Sequence, residues 1–451
     1  MLAIRGQINL LFTAVIAGVL LLAILFDKPS GILLTLGYLI VMGDIRRIVS
    51  FISEPARFDL LLLIAPVIAA LLAVPILVNV RLRDSLSKAV LALFAIMVLE
   101  VFNPLQGGLA VGLAGAIFYI APLFWFWIGR RYGSPMLIER LLNTVILPLA
   151  CLAAVLGLAQ TYIGFLPWED AWIDIASRTY VALHLGTSIR AFGFSVSAAE
   201  YATMIAFATA AICGKFLAGK RIWVIVFPVL FAGVVLASGR SVIIKLIATV
   251  ALLWPLRKNP KITPLLALRL AGFAVSGLVA LSLFASHFGS TPQSSKSVSA
   301  ATAALNHLAG GLGHPLDQRY STAGLHGNMI AYGFKAGFTS PIGRGLGSTT
   351  LAGAKLGSDV NQASSEVDVS DMFIMLGLPG GIAYLCVLFL TFGRAFTYLR
   401  TVPTTISLPV LAILFCTIGS WLIGGQYSTS SIVFFMIGGL VYQRDPGLGD
   451  F

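Results

Sequence analysis

The chain has 451 residues, of which 58% are hydrophobic and only 11% are charged, and 30 Lys and Arg against 18 Asp and Glu give a net charge of +12. Soluble proteins carry roughly 25% charged residues, so this composition excludes an ordinary soluble domain. The basic residues are dispersed among short connections rather than gathered along one stripe, which argues against nucleic acid as a partner. The lipid bilayer is therefore the expected solvent of this chain.

Continuous apolar runs predict helices that cross the membrane, because the strands of a membrane barrel would alternate apolar and polar residues. The first run, at 8–26, has a basic flank and no small-residue cleavage site after it, so we interpret it as a retained helix. The sequence predicts an all-α polytopic membrane helical bundle of about 12 to 13 transmembrane helices. Further spans are predicted near 29–43, 59–79, 88–104, 108–128, 141–163, 196–214, 222–238, 241–256, 266–285, 371–393, 405–424 and 430–443.

Long connections divide the predicted bundle into parts. Residues 1–285 hold most of the transmembrane helices and a periplasmic loop near 164–195. Residues 286–370 form one large periplasmic loop, and 371–451 hold the C-terminal transmembrane helices. A connection as long as the large loop is usually functional or disordered. Its second part interleaves aromatic and apolar residues with basic ones, which predicts an ordered substructure with a helix at 329–338.

Short basic loops orient the helices, because cytoplasmic loops carry an excess of Lys and Arg. Four basic segments fall on one side: 129–140, 214–221, 257–261, and Arg394 with Arg400. This alternation predicts a multi-pass protein of the bacterial inner membrane with its long loops in the periplasm. The alternation fails near the N-terminus, where basic segments at 43–47 and 81–88 flank a single span. Either a short run before them is not a full crossing, or one basic loop lies outside.

The sequence offers little support for metal or nucleotide chemistry. The cysteines, Cys151, Cys213, Cys386 and Cys416, lie in apolar runs without ligand spacing, so we interpret them as small core residues. The five histidines show no metal-binding spacing. The sequence has no phosphate-binding loop or nucleophile elbow, which weighs against ATP-driven transport and serine hydrolysis. We therefore expect no cofactor.

Two arginines stand near predicted spans on the outer side. Arg190 precedes a span that carries Glu200, and an ionisable residue inside the membrane is a functional candidate by default. Arg240 lies in the very tight outer turn SGRS at 238–241, where positive charge opposes the usual bias. The alternatives are structural: Arg190 as a snorkelling anchor, Glu200 as a partner of a structural arginine, and the turn as a helix cap.

The large outer loop carries a third group of candidate residues. Arg319 and Tyr320 precede a helical patch with Lys335, and the patch ends in SPIGRGLG with Arg344 among glycines that allow backbone to approach a ligand closely. Guanidinium groups stay charged and offer planar forks to phosphate oxygens. Together with the two arginines described above, Arg319 could neutralise a diphosphate, with Arg344 as a further ligand and Tyr320 and Lys335 in support.

Acidic residues gather at the entrance to the next helix. Asp371 has a structural explanation, because acids in the first turn of a helix favour its dipole. Glu366 and Asp368 are stronger candidates for chemistry. A carboxylate that faces an arginine-rich outer pocket could act as the general base for a sugar hydroxyl.

In their order along the chain, these motifs resemble the O-antigen ligase and O-antigen polymerase superfamily, integral membrane glycosyltransferases with a GT-C-like fold. The resemblance covers about 162–384. It rests on an arginine before a glycine-containing helix entry, an SR-type turn, an arginine before an aromatic-rich helix, a Pro-x-x-Gly-x-Gly-like element and a Gly-Leu-x-Gly element. In this chain the elements are Arg190 with Phe192 and Gly193, residues 238–241, Arg319 with the helix around Tyr332, then Pro341, Gly343, Gly345 and Gly347, and finally 377–380.

The resemblance implies a polysaccharide polymerase. Ligases of this superfamily carry a His-Asn pair where this chain has Glu366, and polymerases do not require that histidine. The implied reaction transfers a glycan from undecaprenyl diphosphate to a sugar hydroxyl of another lipid-linked repeat unit, without metal. In it Arg190 and Arg319 hold the diphosphate, Arg240 supports it, and Glu366 or Asp368 takes the acceptor proton.

The implied partners are the undecaprenyl-diphosphate-linked oligosaccharide, membrane lipid and, as a candidate, a chain-length regulator. Two other functions remain open. One is an O-antigen ligase that transfers the glycan to lipid A core or to protein, and the other is a flippase for the lipid-linked oligosaccharide. Intramembrane charges such as Glu100 and Lys245 are sparse, whereas the candidate residues crowd the outer face, which favours an enzyme over a flippase.

Overall fold

In the computed structural model the described residues are predominantly helical. The strands β1 (His184–Leu185) and β2 (Ser188–Ile189) pair in antiparallel fashion, and no other strand pairing occurs among the described residues. The described residues are 2–53, 59–80, 82–176, 184–185, 188–237, 240–258, 269, 272, 299–313, 323–350, 367–424 and 426–443.

The helices follow one another along the chain with mostly short connections. They are α1 (Leu2–Phe26), α2 (Lys28–Ile52), α3 (Leu61–Val78), α4 (Ser85–Glu100), α5 (Leu109–Tyr132), α6 (Pro135–Arg140), α7 (Leu147–Tyr162), α8 (Pro167–Ala176), α9 (Ala198–Leu217), α10 (Phe227–Leu236), α11 (Arg240–Lys258), α12 (Ala300–Gly313), α13 (Ala323–Thr339), α14 (Asp368–Thr401), α15 (Thr404–Cys416) and α16 (Tyr427–Gly439). Short 3₁₀ segments lie at Pro104–Gln106 and Arg221–Val226, and a π-helix at Leu141–Ile146 joins α6 to α7.

Capping side chains determine where several helices begin. The carboxylates of Asp27 and Asp84 each accept a hydrogen bond from the backbone N–H three residues further on, at the starts of α2 and α4. The Ser197 hydroxyl accepts a hydrogen bond from the N–H of Glu200 in the same way. Ser197 is therefore the N-cap of α9, and Glu200 lies in the first turn of this helix.

The prediction of a helical membrane protein is confirmed in its coarse form. Among the described residues, five segments are long and apolar enough to cross a membrane: Gln7–Phe26, Leu61–Val78, Leu109–Tyr132, Pro135–Tyr162 and Asp368–Thr401. The helices Arg221–Leu236 and Thr404–Cys416 are apolar but shorter. The total of 12 to 13 crossings stays a prediction, and the span predicted at 266–285 lies outside the described residues.

The basic segment at 43–47 is helical, not a loop. Helix α2 continues through it to Ile52, and the Arg47 guanidinium donates to the backbone carbonyls of Gly193 and Ser195. These carbonyls belong to the end of the connection predicted to be periplasmic. Helix α2 is not among the five segments that are long and apolar enough to cross a membrane, so both alternatives for the N-terminal region stay predictions.

The chain folds into two compact units, each assembled from segments that are distant in sequence. In the first unit α1 packs on α2, and α9 packs on α11 and α15. In the second unit α5 packs on α16, and α4 packs on α14. The first unit comprises Met1–Ala65, Arg140–Ala323 and Pro403–Thr417, and the second comprises Pro66–Glu139, Gly324–Val402 and Ile418–Phe451.

The cysteines differ in burial. Cys416 is buried and Cys151 and Cys213 are half-buried, but Cys386 is exposed. The interpretation of all four as core residues is therefore wrong for Cys386. An apolar run in the sequence does not distinguish a protein core from a surface that faces lipid, because both kinds of helix surface are equally apolar.

Candidate functional site

In the second unit, residues 341–347 form a tight turn that we call the glycine loop. Gly343 and Gly345 adopt left-handed conformations, with φ of 91° and 95°. The Arg344 N–H donates to the carbonyl of Ile374 at 3.0 Å, and the Gly345 N–H donates to the carbonyl of Met375 at 3.0 Å. The loop is therefore fastened to α14 through backbone groups.

Helix α14 is broken where it receives the glycine loop. Gly377 has φ 64° and ψ −161°, which interrupts the helix, and the N–H of Leu378 donates to the Pro341 carbonyl at 3.1 Å. A side chain at Gly377 would collide with that carbonyl oxygen, so the junction requires glycine. Within membranes, broken helices are tolerated where they are buried in protein or line a cavity. The two glycine elements predicted separately from the sequence thus meet in one structure.

A buried polar cluster at the end of α4 holds the other side of the glycine loop. The Gln106 side-chain oxygen accepts from the Gly347 N–H at 3.0 Å, and the Glu100 carbonyl accepts from the Leu346 N–H at 3.2 Å. The Asn103 amide donates to the Glu100 carboxylate at 2.7 Å. Sequence reasoning missed Asn103 and Gln106. The available signal was two amide side chains around a proline at the end of an apolar span.

Helix α13 packs on the first half of α14 through glycines. A side chain at Gly333 would meet Ser370, and one at Gly337 would meet Phe373. The Phe334 and Phe373 rings lie 4.9 Å apart between their centroids. Small residues four apart let helices approach closely, and here they bring α13 onto the bundle. The predicted helix at 329–338 is confirmed within this longer helix.

Arg344 presents its side chain beside α13. The carbon of its guanidinium lies 5.7 Å from the centroid of the Tyr332 ring, and Tyr332 is 42% exposed. Lys335 is exposed and lies three residues after Tyr332, on the same face of α13. We call Tyr332, Lys335 and Arg344 the arginine surface. It combines a guanidinium on a loop fastened by backbone hydrogen bonds with an exposed lysine on the helix that this guanidinium contacts.

Asp368 occupies the start of α14 and is completely buried. Its carboxylate accepts hydrogen bonds from the Tyr384 hydroxyl and, at 2.7 Å, from the Trp421 backbone N–H. Its own N–H donates to the carbonyl of Gly419. These contacts give Asp368 a structural role. Asp371 is also buried in the first turn of α14, which agrees with the first-turn alternative.

In the first unit, Arg47 forms the centre of a second buried arrangement. The side chain is 2% exposed, and its guanidinium donates to the carbonyls of Gly193 and Ser195, each at 2.8 Å. The guanidinium carbon lies 4.5 Å from the Phe192 ring centroid and 5.5 Å from the Trp172 ring centroid. This arginine therefore fixes the turn at 192–195, and sequence reasoning did not select it.

Hydrogen bonds through the side chains of Gln160 and Glu169 hold the turn at 192–195 from the other side. The Gln160 oxygen accepts from the N–H groups of Phe192 and Gly193 at 3.0 and 2.9 Å, and its amide donates to Glu169 at 2.7 Å. Glu169 lies in α8, outside the predicted spans. Burial raises the pKa of its carboxyl, while hydrogen bonds from the Leu166 N–H and Gln160 oppose that shift. Every polar group of the turn named here is paired.

The other predicted site residues, apart from Arg344, Lys335 and Asp368, fall into three groups. Arg190 is half-buried and directly precedes the turn fixed by Arg47, and Glu200 is buried in the first turn of α9, where its N–H donates to the Ser197 hydroxyl. Arg240 begins α11, and its side chain is outside the described structure. Arg319, Tyr320 and Glu366 lie outside the described residues, and so does the predicted convergence of Arg190 with Arg319.

No family model matches the chain, and no curated protein shows significant similarity to it. Function is therefore inferred from the residues and their geometry. The resemblance to the O-antigen ligase and polymerase superfamily stays a prediction from the motifs.

Proposed function

We propose that the protein is a metal-independent glycosyltransferase that polymerises lipid-linked repeat units on the periplasmic face of the bacterial inner membrane. The observation that carries the proposal is the arginine surface, in which a half-buried guanidinium stands on a loop fastened to a broken helix. The donor is a glycan on undecaprenyl diphosphate. The acceptor is a sugar hydroxyl of a second lipid-linked unit.

The main requirement of the proposed reaction is stabilisation of the negative charge that develops on the leaving diphosphate. The bond between the anomeric carbon and the diphosphate oxygen breaks, and the acceptor oxygen forms a new bond to that carbon. Diphosphate is a competent leaving group, and cations fixed in advance stabilise the charge that develops on it. Arg344 supplies a planar fork of donors, and Lys335 adds a second cation on the neighbouring helix face.

The acceptor proton needs a base on the same side of the membrane. Asp368 is buried and already accepts hydrogen bonds from the Tyr384 hydroxyl and from the N–H groups of Trp421 and Leu422. We therefore assign to Asp368 the positioning of α14, and to Glu366 the removal of the proton. The assignment of Arg190, Arg240 and Arg319 to the donor diphosphate stays a prediction from the sequence.

The experiment is complementation of a strain that lacks the native protein, with glycans analysed by gel electrophoresis. Arg344→Ala should leave single repeat units on the lipid carrier, and Arg319→Ala should do the same. Arg83→Ala is the matched control, because Arg83 is an exposed arginine in the connection before α4. The control should give polymer of normal length.

Three other results would each point elsewhere. Normal chain lengths in Arg344→Ala would contradict the role of the arginine surface. Complete polymer that accumulates on the carrier would indicate a ligase. Repeat units that remain on the cytoplasmic side of the membrane would indicate a flippase.

A further inference from the structure

The first unit contains an apolar groove of about 590 Å³ between α1, α2 and the chain around the π-helix. Ligand pockets commonly measure about 300–1,000 Å³, so the groove is large enough for part of a small amphiphile. Its residues on α2 run from Ser30 to Val41, which corresponds to roughly 16 Å at 1.5 Å per residue. The groove is therefore elongated along a helix.

The walls of the groove are apolar and partly exposed. Val15 and Val19 on α1 are 54% and 52% exposed, and Leu34 on α2 is 46% exposed. The segment Gln7–Phe26, which forms one wall, is long and apolar enough to cross a membrane. A groove with such walls opens toward lipid tails and suits an alkyl chain.

The hydroxyl groups along the groove are engaged within the protein. The Thr144 hydroxyl donates to the Arg140 carbonyl at 2.8 Å, and the Tyr38 hydroxyl donates to the Leu61 carbonyl at 2.7 Å. Thr144 also belongs to the π-helix Leu141–Ile146, and π-helical turns are frequent at functional sites. The interior of the groove therefore favours a hydrocarbon over a polar ligand.

One end of the groove carries positive charge. The Arg140 guanidinium lies 3.4 Å from the Ser30 hydroxyl that lines this end, and both Arg140 and Lys28 are exposed. The Asp27 carboxylate, the N-cap of α2, lies at the same end and offsets one of these two positive charges. Basic pockets at the ends of membrane helices bind anionic headgroups. A guanidinium beside Ser30, at an end of the groove with net positive charge, matches a phosphate attached to an acyl chain.

We infer that this groove is a binding site for an anionic phospholipid, with an acyl chain along α2 and the phosphate at Arg140 and Lys28. The site does not depend on the proposed glycosyltransferase function. The π-helix, Lys28 and Arg140 have no part in that function, and lipid binding would give them one.

The groove itself is tested by filling it. At Gly37 an added side chain would point toward Val145 and Leu149, at 3.6 and 3.8 Å, so alanine fits there and leucine intrudes. Gly18 on α1 does not line the groove and has open space around it, so Gly18→Leu is the matched control. Native mass spectrometry of the detergent-purified protein should show one bound phosphatidylglycerol in the wild type and in Gly18→Leu, and none in Gly37→Leu.

The charged end is tested in a second set of titrations on delipidated protein. The wild type should bind phosphatidylglycerol more tightly than phosphatidylcholine with the same acyl chains, by about fivefold for each cation that contributes. The double variant Lys28→Ala with Arg140→Ala should lose this preference but still bind lipid. Inorganic phosphate alone should not compete, because the acyl chain supplies the apolar contacts.

Several results would overturn the inference. One is retention of phosphatidylglycerol by folded Gly37→Leu, with folding checked by thermal unfolding. Another is an unchanged headgroup preference in the double variant, which does not depend on filling the groove. Stronger binding of a polyprenyl phosphate than of phosphatidylglycerol would also contradict it, as would a dimer that Gly37→Leu dissociates.

Discussion

The turn at 192–195 and the glycine loop are held by different means. Arg47 and Gln160 fix the first with side chains that are almost wholly buried. The second is held largely by its own backbone, at glycines that allow close approach to α14. Because backbone groups fasten the glycine loop, the Arg344 side chain is not required for its fold. A buried arginine thus holds the backbone in one region, whereas in the other the half-buried Arg344 lies on a loop that backbone groups hold.

The largest effect on stability should come from Arg47→Met. It leaves two buried carbonyls without their donor and Asp44 without its nearby cation, which should cost about 3–5 kcal/mol. Arg46→Met is the control, because Arg46 pairs with Asp59 at a partly exposed site and exposed pairs contribute about 0–1 kcal/mol. Thermal unfolding of the purified proteins measures both. Equal losses would show that the buried arginine is not what holds the turn.

Gly377→Ala should have the next largest effect. The left-handed conformation costs an alanine about 1–3 kcal/mol, and its methyl group would also push the Pro341 carbonyl away. Gly393→Ala in the same helix has open space and should be neutral or slightly stabilising. Limited proteolysis within the glycine loop should accelerate only in Gly377→Ala. An unchanged cleavage pattern would mean that the helix break does not hold the loop.

Two glutamines allow a direct comparison of the regions. Gln160 accepts hydrogen bonds from two backbone N–H groups of the turn and donates one to Glu169. Gln106 accepts one hydrogen bond from the glycine loop, from the Gly347 N–H. Each replacement by leucine leaves buried groups unpaired, at about 1–3 kcal/mol. We expect Gln160→Leu to lower the unfolding temperature more than Gln106→Leu. The opposite order would assign the stronger side-chain anchor to the glycine loop.

The smallest effect concerns pH. Burial raises the pKa of Glu169, so the folded protein holds this proton more tightly than the unfolded chain does. The resulting stability is present below the unfolded pKa of about 4.3 and is lost as the pH rises through the folded value. The variant Glu169→Gln has no ionisable side chain at this position, so it serves as the reference. The unfolding temperature of the wild type relative to this variant should therefore fall as the pH rises from about 4 through the raised pKa of Glu169 in the folded protein. A constant difference would show that Glu169 ionises normally.

Apolar runs predicted most described helices, because burial in lipid or protein demands continuous hydrophobic sequence. They did not predict that α2 continues past its basic residues, since that depends on partners such as Asp59 and the carbonyl of Gly193. The glycines at 343 and 377 were selected from motifs. Their contact joins segments about thirty residues apart, and a local sequence pattern does not predict contacts over that separation. Arg47 and Gln106 were missed for the same reason.

The most direct test of the proposed function uses purified protein, lipid-linked repeat units and a chelator, with no nucleotide added. The wild type and Arg83→Ala should form polymer, Arg344→Lys should retain part of the rate, and Arg344→Ala should be slower by about 10²–10³-fold. Polymer formation at the wild-type rate by a folded Arg344→Ala protein would contradict the central claim that this guanidinium stabilises the leaving diphosphate.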